Sequence, residues 1–350
     1  MMTQTLQFGL DTFGDVTTGP AGRTPTPQVI RDVVAEAVLA DRLGLDFFGI
    51  GEHHRADFAV SSPEMVLAAI ASQTDRIRLG SAVTVLSSDE PVRVYQRFAT
   101  LDAVSNGRAE IIVGRGSFTE SFPLFGLPLD QYEDLFEEKL NLFHALLTQE
   151  RVNWQGTLRA PLTDTIVYPR TERPLTTWVG VGGSPRSIVR AAHYGLPVML
   201  AIIGGDPVRF RPYVDMFEKS LAQFGKPMLP MGVHSPGFVG ETDRAARDIF
   251  FPHYRDMHAA IGAQRGWPPL SRAAFEHEID NGSLYVGSPD TVARKIARTA
   301  GALGIARFQL KYSAGTLPHA DMLRGIELYA TEVAPRVRTM LDTPAQVAAE

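Results

Sequence analysis

The sequence predicts an α/β protein folded as a closed (β/α)8 TIM barrel with insertions at the C-terminal face, and three observations support this. First, a capping residue, a proline, an amphipathic helix, a glycine and a β-rich strand follow one another repeatedly along the 350 residues. Second, eight apolar stretches have the length of strands, and each is too apolar to lie exposed. Third, a doubly wound open sheet ordinarily has a Gly-rich nucleotide-binding loop after its first strand, whereas this loop is Asp11-Thr12-Phe13-Gly14-Asp15.

The first strand is predicted from Leu6 to Thr12, and Thr26 is predicted to cap the helix that follows. The apolar residues of this helix recur at helical spacing. The helix is expected to end at Leu43-Gly44, because glycine adopts the left-handed conformation that terminates helices. The second strand then begins at Leu45 and ends in the ionisable run Glu52-His53-His54.

The later units repeat this order. Five further helices are predicted where proline follows a capping residue, at Ser62-Pro63, Glu90-Pro91, Ser184-Pro185, Asp206-Pro207 and Ser288-Pro289. Another helix is predicted from Tyr132 to Leu147, without such a proline. The eight strands are predicted to begin at Leu6, Leu45, Ile77, Ala109, Thr177, Val198, Leu229 and Ile305. We expect the third of them to continue to Leu86, and the helix before it to end near Asp75.

One domain is predicted over residues 1–350, because a single barrel takes about 250 residues and more when it carries insertions. Two intervals, at about residues 151–175 and 236–287, do not fit the repeating order. The second contains a helical stretch and then Gly266-Trp267-Pro268-Pro269. Insertions of this length in compact domains are usually functional or disordered, so we interpret this one as a substrate lid, with a surface excursion as the alternative.

Composition narrows the class of protein. The net charge is −5 and no run of Lys or Arg occurs, which argues against a nucleic-acid or membrane-surface partner. The absence of cysteine excludes disulfides, thiolate nucleophiles and Cys-ligated metal sites. The apolar run Leu196 to Ile203 is far shorter than the about 20 residues of a membrane helix. The N-terminus leaves no room for a signal peptide, so a soluble cytoplasmic protein is expected.

The run Glu52-His53-His54 is the first candidate for chemistry, because active sites of such barrels lie at the C-terminal ends of the strands. His and carboxylate groups suggest a metal site. However, adjacent residues in an extended segment point to opposite sides, and no His-x-His ends the first strand. We therefore favour His53 as a general acid or base and expect no metal. For His54 a structural, hydrogen-bonded role is an equal alternative.

Two loops are candidates for phosphate binding. Gly182-Gly183-Ser184-Pro185-Arg186-Ser187 opens a helix, where first-turn N–H groups and two serine hydroxyls can bind an anion. Arg115 stands between two glycines after the fourth strand and can reach a phosphate with both arms. A simple helix cap and a surface salt bridge are the respective alternatives. Two such loops together suggest a phosphorylated cofactor.

The run from Gly80 to Leu86 offers small residues that form either a flat wall for a planar ring or ordinary core packing. The substrate pocket is expected to be apolar, from Phe13, Phe58, Phe118, Phe122 and Trp267.

The combination of these motifs resembles the bacterial luciferase-like monooxygenase family. The resemblance spans about residues 6–340 and rests on Glu52-His53-His54, Gly80-Ser81-Ala82-Val83, Asn106-Gly107-Arg108 with Gly114-Arg115-Gly116, Gly183-Ser184 with Ser187, and Thr331-Glu332-Val333-Ala334-Pro335. It implies a TIM barrel that is commonly a homodimer and binds reduced FMN or, in sister branches, deazaflavin F420.

Residue roles follow from the same resemblance. It implies that His53 is the catalytic base beside the flavin, and that Ala82 and Val83 flank a non-prolyl cis peptide supporting the flavin ring. It also implies that Arg115, Ser184 and Ser187 bind the phosphate. Gly183 stands where the luciferase catalytic chain has a glutamate, so contacts there are expected through the backbone. Gly114 replaces a cysteine near the flavin, which removes one reason to expect light emission.

The leading hypothesis is a monooxygenase that uses reduced FMN and O2 to oxygenate a small organic substrate. Because no Gly-x-Gly-x-x-Gly opens a βαβ unit, the electrons are expected from a separate NAD(P)H:flavin reductase, or from NAD(P)H bound in the same cleft. The alternatives are an F420-dependent hydride-transfer enzyme on the same barrel, a metal-dependent barrel hydrolase and a non-catalytic flavin-binding protein.

Overall fold

Eight parallel strands form a closed barrel in the computed structural model, which describes residues 5–19 and 21–342. The barrel strands are β1 (Gln7–Thr12), β2 (Phe47–Ile50), β3 (Arg78–Ser81), β4 (Ala109–Gly114), β5 (Thr176–Val181), β6 (Val198–Ala201), β7 (Met231–Val239) and β8 (Arg307–Lys311). Each strand pairs in parallel with the next, and β8 pairs with β1. The predicted TIM barrel is therefore confirmed.

Helices connect the strands and cover the outside of the barrel. They are α1 (Thr26–Arg42), α2 (Pro63–Ala71), α3 (Pro91–Val104), α4 (Tyr132–Thr148), α5 (Pro185–Tyr194), α6 (Arg211–Gln223), α7 (Asp243–Arg265), α8 (Arg272–Asn281), α9 (Pro289–Leu303), α10 (His319–Leu328) and α11 (Ala334–Asp342). The predicted terminators at Gly195 and Gly304 adopt left-handed backbone, with φ of 66° at both. No helix within the described ranges is long and apolar enough to cross a membrane.

Three local predictions differ from the structure. Thr26 is the first helical residue of α1 and Pro25 precedes it, so Thr26 is not the cap. Helix α2 ends at Ala71, four residues before Asp75. The third strand stops at Ser81, short of the predicted Leu86; the cis Ala82–Val83 peptide bond follows it, and pairing resumes only at Thr84–Val85.

The two long intervals contain regular structure. In the first, Arg151–Trp154 and Leu162–Ile166 pair as an antiparallel hairpin. In the second, β7 continues to Val239, and α7 and α8 follow it. The strand Tyr285–Gly287 then pairs in parallel with the last residues of β7, which fixes the end of the interval to the barrel.

The barrel interior is packed below the candidate site. Phe47, Ile112, Trp178 and Met199 form a buried cluster with Ala82. Below this cluster, near the N-terminal end of the strands, the fully buried Arg307 donates to the Glu110 carboxylate at 2.7 and 3.2 Å. The Arg307 guanidinium also lies over the Phe47 and Trp178 rings, at 4.7 and 4.8 Å from their centroids. The interior is thus a packed core that leaves chemistry to the C-terminal face.

Candidate active site

His53 lies just after β2, at the C-terminal end of the barrel, inside a cage of three aromatic rings. The ring centroids of Phe13, Phe58 and Phe118 are 4.6, 4.5 and 4.7 Å from that of His53. Only 8% of His53 is exposed. Burial in this apolar cage disfavours the imidazolium and lowers the pKa of His53 from its ordinary value. His53 is therefore held in the neutral form that a general base requires.

Glu120 is the acidic group that faces His53. Its Oε1 lies 3.5 Å from His53 Nδ1, a long hydrogen bond. Since an ionised carboxylate can only accept, Nδ1 carries the hydrogen of this bond and Nε2 of the neutral ring keeps a lone pair. Burial is the larger influence on the pKa of His53, and the bond to Glu120 opposes it. Glu120 thus determines the tautomer of His53 without making it a cation.

His54 has a different environment, in agreement with the structural alternative. Its Nε2 lies 2.9 Å from Glu52 Oε1, and this hydrogen bond raises the pKa of His54. The other oxygen of Glu52 accepts the Val85 backbone N–H at 3.1 Å. Through these two hydrogen bonds, Glu52 links His54, at the end of β2, to the loop after β3. His53 and His54 contact different carboxylates, and the described residues contain no group of three or more His, Asp or Glu placed to hold a metal ion.

Ala82 and Val83 form a small-residue wall beside this cage. The peptide bond between them is cis, as the family resemblance implied. A Cβ atom added at Gly114 would lie 2.8 Å from a Val83 methyl carbon, and one added at Gly180 would lie 3.1 Å from the other. The glycines of β4 and β5 thus allow the backbone of both strands to approach Val83 closely. The Glu52 N–H donates to Val83 O at 3.4 Å, so Val83 lies between the end of β2 and β5.

The loop after β5 has the features of an anion site. Ser184 precedes the ten-residue helix α5, and its side chain makes no capping hydrogen bond. Ser187 is 4% exposed, and no hydrogen bond of its hydroxyl to another described residue is recorded. A Cβ atom added at Gly182 would meet no atom within 4 Å, and Gly183 has φ of +107°. Two unused hydroxyls, an open backbone and a helix N-terminus fit an anion such as a phosphate group.

Arg115 is partly engaged elsewhere. Its Nη1 is ion-paired with Glu133 on α4, and its guanidinium lies over the Tyr132 ring. Glu133 also accepts from Arg190 of α5 at 3.4 Å. The ion pair was the alternative to phosphate binding. The shared partner nevertheless links Arg115 to the helix that carries Ser184 and Ser187, and neither Nε nor Nη2 of Arg115 has a recorded partner among the described residues.

The second long interval closes over the aromatic cage. The Arg265 guanidinium at the end of α7 lies 4.5 Å from the Phe118 centroid, and its Nη2 donates to Ser117 O at 2.7 Å. Arg55 lies on the same ring at 5.3 Å. Of the other predicted pocket aromatics, Trp267 contacts Arg265 at 5.3 Å, whereas Phe122 is fully buried against Tyr132. Three of the five predicted aromatic residues therefore come together around His53, and Trp267 is linked to them only through Arg265.

Sequence reasoning missed the charged residues inside the barrel mouth. Lys311 Nζ donates to Asp15 Oδ2 at 2.6 Å and lies 4.6 Å from the Phe13 centroid, behind the cage of His53. Asp11 is fully buried and pairs with His234 of β7. One signal could have found them: Arg307, Gln309 and Lys311 alternate with apolar residues in β8, which places three polar side chains on one face of a buried strand.

The comparisons with known proteins decide the family. The sequence model of the family described as luciferase-like monooxygenase matches residues 11–307. The chain belongs to the luciferase-like monooxygenase family. This confirms the resemblance found in the sequence, and the chain is accordingly an oxidoreductase.

The relatives within the family include more than one kind of oxidoreductase. The chain is 29% identical, over an alignment of 350 residues, to a 4-hydroxyprotoasukamycin monooxygenase of Streptomyces nodosus subsp. asukaensis, covering 92% of this chain and 91% of that protein. It is 33% identical over 336 residues to an F420-dependent glucose-6-phosphate dehydrogenase of Beutenbergia cavernae, covering 88% of this chain and 94% of that protein. The family therefore includes both monooxygenases and F420-dependent oxidoreductases.

A solved structure shows the same fold. The oxygenating constituent of the 3,6-diketocamphane monooxygenase from the CAM plasmid of Pseudomonas putida, in complex with FMN, superposes with a TM-score of 0.76. The superposition covers 95% of this chain and 99% of that chain at 20% identity. The likeness supports the TIM barrel.

Proposed function

We propose that the protein is a monooxygenase that uses reduced FMN and O2 to oxygenate a small organic substrate. The main structural support for this proposal is the position of Val83. Val83 lies between the end of β2, which carries the buried His53, and β5, which is followed by the candidate phosphate-binding loop at residues 182–187. Ala82 and Val83 would support the flavin ring and Ser184 would bind its phosphate, while His53, at the neighbouring end of β2, would be available for proton transfer. The full-length likeness to a monooxygenase supports the same reaction.

Each part of the site has a separate task in this proposal. Ser184, Ser187 and the backbone N–H groups at the start of α5 bind the phosphate, with Gly183 contributing through its backbone and Arg115 through its free arm. Bound reduced FMN supplies the electrons that activate O2. His53 accepts or donates a proton at Nε2, and the surrounding phenylalanine rings exclude water from it.

The partners follow from the same proposal. The first strand is not followed by a Gly-x-Gly-x-x-Gly loop, so we propose that a separate NAD(P)H:flavin reductase in the cytoplasm supplies reduced FMN. We also propose a homodimer. An apolar surface groove between α1 and α2 is lined by Ile30, Val34, Val38 and Ala69, and Met65 beside it is 74% exposed. Exposed apolar surface of this kind is typical of subunit contacts.

The second long interval is proposed as the substrate lid. Arg265 joins α7 to the Phe118 loop, and this loop also carries Glu120, so movement of the interval would change the access of ligands to His53. The aromatic residues beneath it make a pocket that suits an apolar substrate.

A second candidate is an F420-dependent hydride-transfer enzyme, which the 33% identical relative favours. Anaerobic titration of the protein with reduced FMN and, separately, with F420, followed by fluorescence, separates the two. We expect tighter binding of reduced FMN. Preferential binding of F420 would instead support the hydride-transfer enzyme. Binding of FMN that does not react with O2 would identify a non-catalytic flavin-binding protein.

A further inference from the structure

A buried Asp–His pair lies inside the barrel, apart from His53. His234 Nδ1 is 2.9 Å from Asp11 Oδ2. Asp11 is fully buried, whereas 15% of the His234 side chain is exposed. Because an ionised carboxylate only accepts hydrogen bonds, the proton of this bond resides on Nδ1. In the neutral ring, Nε2 is then a hydrogen-bond acceptor, and no partner for it is recorded among the described residues.

The pair faces the inside of the barrel mouth. Leu10 and Val233, which precede Asp11 and His234, pack in the outer core beneath the helices, so the next residue of each strand points inward. A Cβ atom added at Gly49 would lie 3.2 Å from Asp11 Cβ and 2.9 Å from Ala82 Cβ. Asp11 is therefore a neighbour of the wall proposed to support the flavin ring, and His234 is the accessible member of the pair.

Further polar atoms around the pair have unused hydrogen-bonding capacity. Asp11 Oδ1 and both amide atoms of Gln309 are buried and have no partner within the described structure. Gln309 is adjacent to His234 in the register of β7 and β8. Packing alone would be served better by apolar side chains here, because buried polar atoms without partners destabilise the fold. Unpartnered polar atoms beside the Ala82–Val83 wall therefore indicate recognition of a polar group.

We propose that His234 Nε2 accepts a hydrogen bond from a hydroxyl group of the substrate, with Asp11 holding the imidazole in the required tautomer. The inference rests on the proposed function, and it narrows the substrate class to apolar molecules that carry a hydroxyl group. Asp11 is a positioning residue in this assignment, and His234 determines specificity.

The tautomer can be observed directly by long-range ¹H–¹⁵N NMR of the histidine rings in the full chain, with the His234 signals assigned through His234→Gln. We expect a protonated Nδ1 and an unprotonated Nε2. Asp11→Asn removes the obligate acceptor, so the Nδ1–H preference should be lost. If the His234→Gln variant does not fold, His234→Asn, which retains a donor for Asp11, provides the assignment. An unprotonated Nδ1 in the unsubstituted protein would overturn the proposal.

The ligand class is tested by titration with cyclohexanol and with cyclohexanone, which match in size but differ in donating a hydrogen bond. Cyclohexanol should shift the Nε2 resonance saturably and bind about fivefold more tightly than cyclohexanone, as expected for one hydrogen bond. Equal responses, or none, would overturn the proposal. These readouts do not require flavin. If the protein binds FMN but does not prefer cyclohexanol over cyclohexanone, only this inference is therefore refuted. If the protein prefers cyclohexanol but does not bind FMN, only the proposed monooxygenase is refuted.

Discussion

The imidazole of His53 and the carboxylate of Glu120 face each other across 3.5 Å at the mouth of the barrel, in a cage of phenylalanine rings. Burial lowers the pKa of His53, while Glu120 opposes that effect by its hydrogen bond and charge. The two influences leave His53 neutral and oriented, which is the state a proton acceptor needs at neutral pH.

Glu120→Gln should lower the pKa of His53 further, because it removes the charge that favours the imidazolium while burial remains. Because burial disfavours protonation of His53, the folded state is stabilised while the ring is neutral. This contribution is complete above the unfolded pKa near 6.5, and it is lost as the pH falls through the lower folded pKa. The titration of His53 by NMR, assigned through His53→Gln, measures this. Glu332→Gln, which changes a surface pair with Arg336, is the matched control and should leave the titration unchanged. A raised pKa in the Glu120 variant would refute the assigned interaction.

His53→Ala should leave the binding of reduced FMN intact and slow turnover by about 10²- to 10⁴-fold, the usual contribution of a general acid or base. The measurements are the FMN dissociation constant and the turnover of a substrate found by screening for oxygen consumption. His54→Gln is the control. It perturbs the bond to Glu52 and should lower stability by about 1 kcal/mol while the rate stays near its original value. Undiminished turnover in His53→Ala would end the role assigned to that residue.

Gly182→Ala should weaken FMN binding without lowering the melting temperature. The added methyl would meet no protein atom within 4 Å, so it strains nothing in the free protein but occupies the space proposed for the phosphate. Gly301→Ala provides the comparison, because its methyl also meets open space but lies in α9. That change should stabilise the helix by about 0.5–1 kcal/mol and leave the affinity unchanged. Equal FMN affinity in both variants would show that the phosphate does not bind beside Gly182.

Arg307→Met should destabilise the fold by about 1.5–3 kcal/mol, because the buried Glu110 carboxylate loses its two bonds to Arg307 and keeps only those from Arg78 and Trp178. Urea unfolding followed by circular dichroism measures the change. Arg336→Met removes an exposed partner of Glu332 and should cost about 1 kcal/mol or less. If the two substitutions cost the same, the interior ion pair does not stabilise the barrel in the way its burial indicates.

The fold could be predicted from the sequence because proline and glycine mark the ends of most helices, and most of the strands between them are rich in apolar residues. The break after Ser81 could not be predicted from strand propensity, since the residues from Ile77 to Leu86 remain apolar and small across it. The position of His53 at the mouth of the barrel could be predicted because it follows a short buried strand. Its partner Glu120 was not, because the contact joins two loops 67 residues apart. Asp11 and His234 were missed for the same reason, since their contact crosses the barrel interior.

The proposed monooxygenase activity is tested most directly by the oxidation of reduced FMN by O2 in the presence and absence of the protein. The protein is loaded anaerobically with reduced FMN and mixed with oxygenated buffer in a stopped-flow spectrophotometer. We predict an additional, long-lived absorbance phase that free reduced FMN does not show, and this phase should be altered in His53→Ala. Oxidation indistinguishable from that of free FMN would contradict an oxygen-activating site.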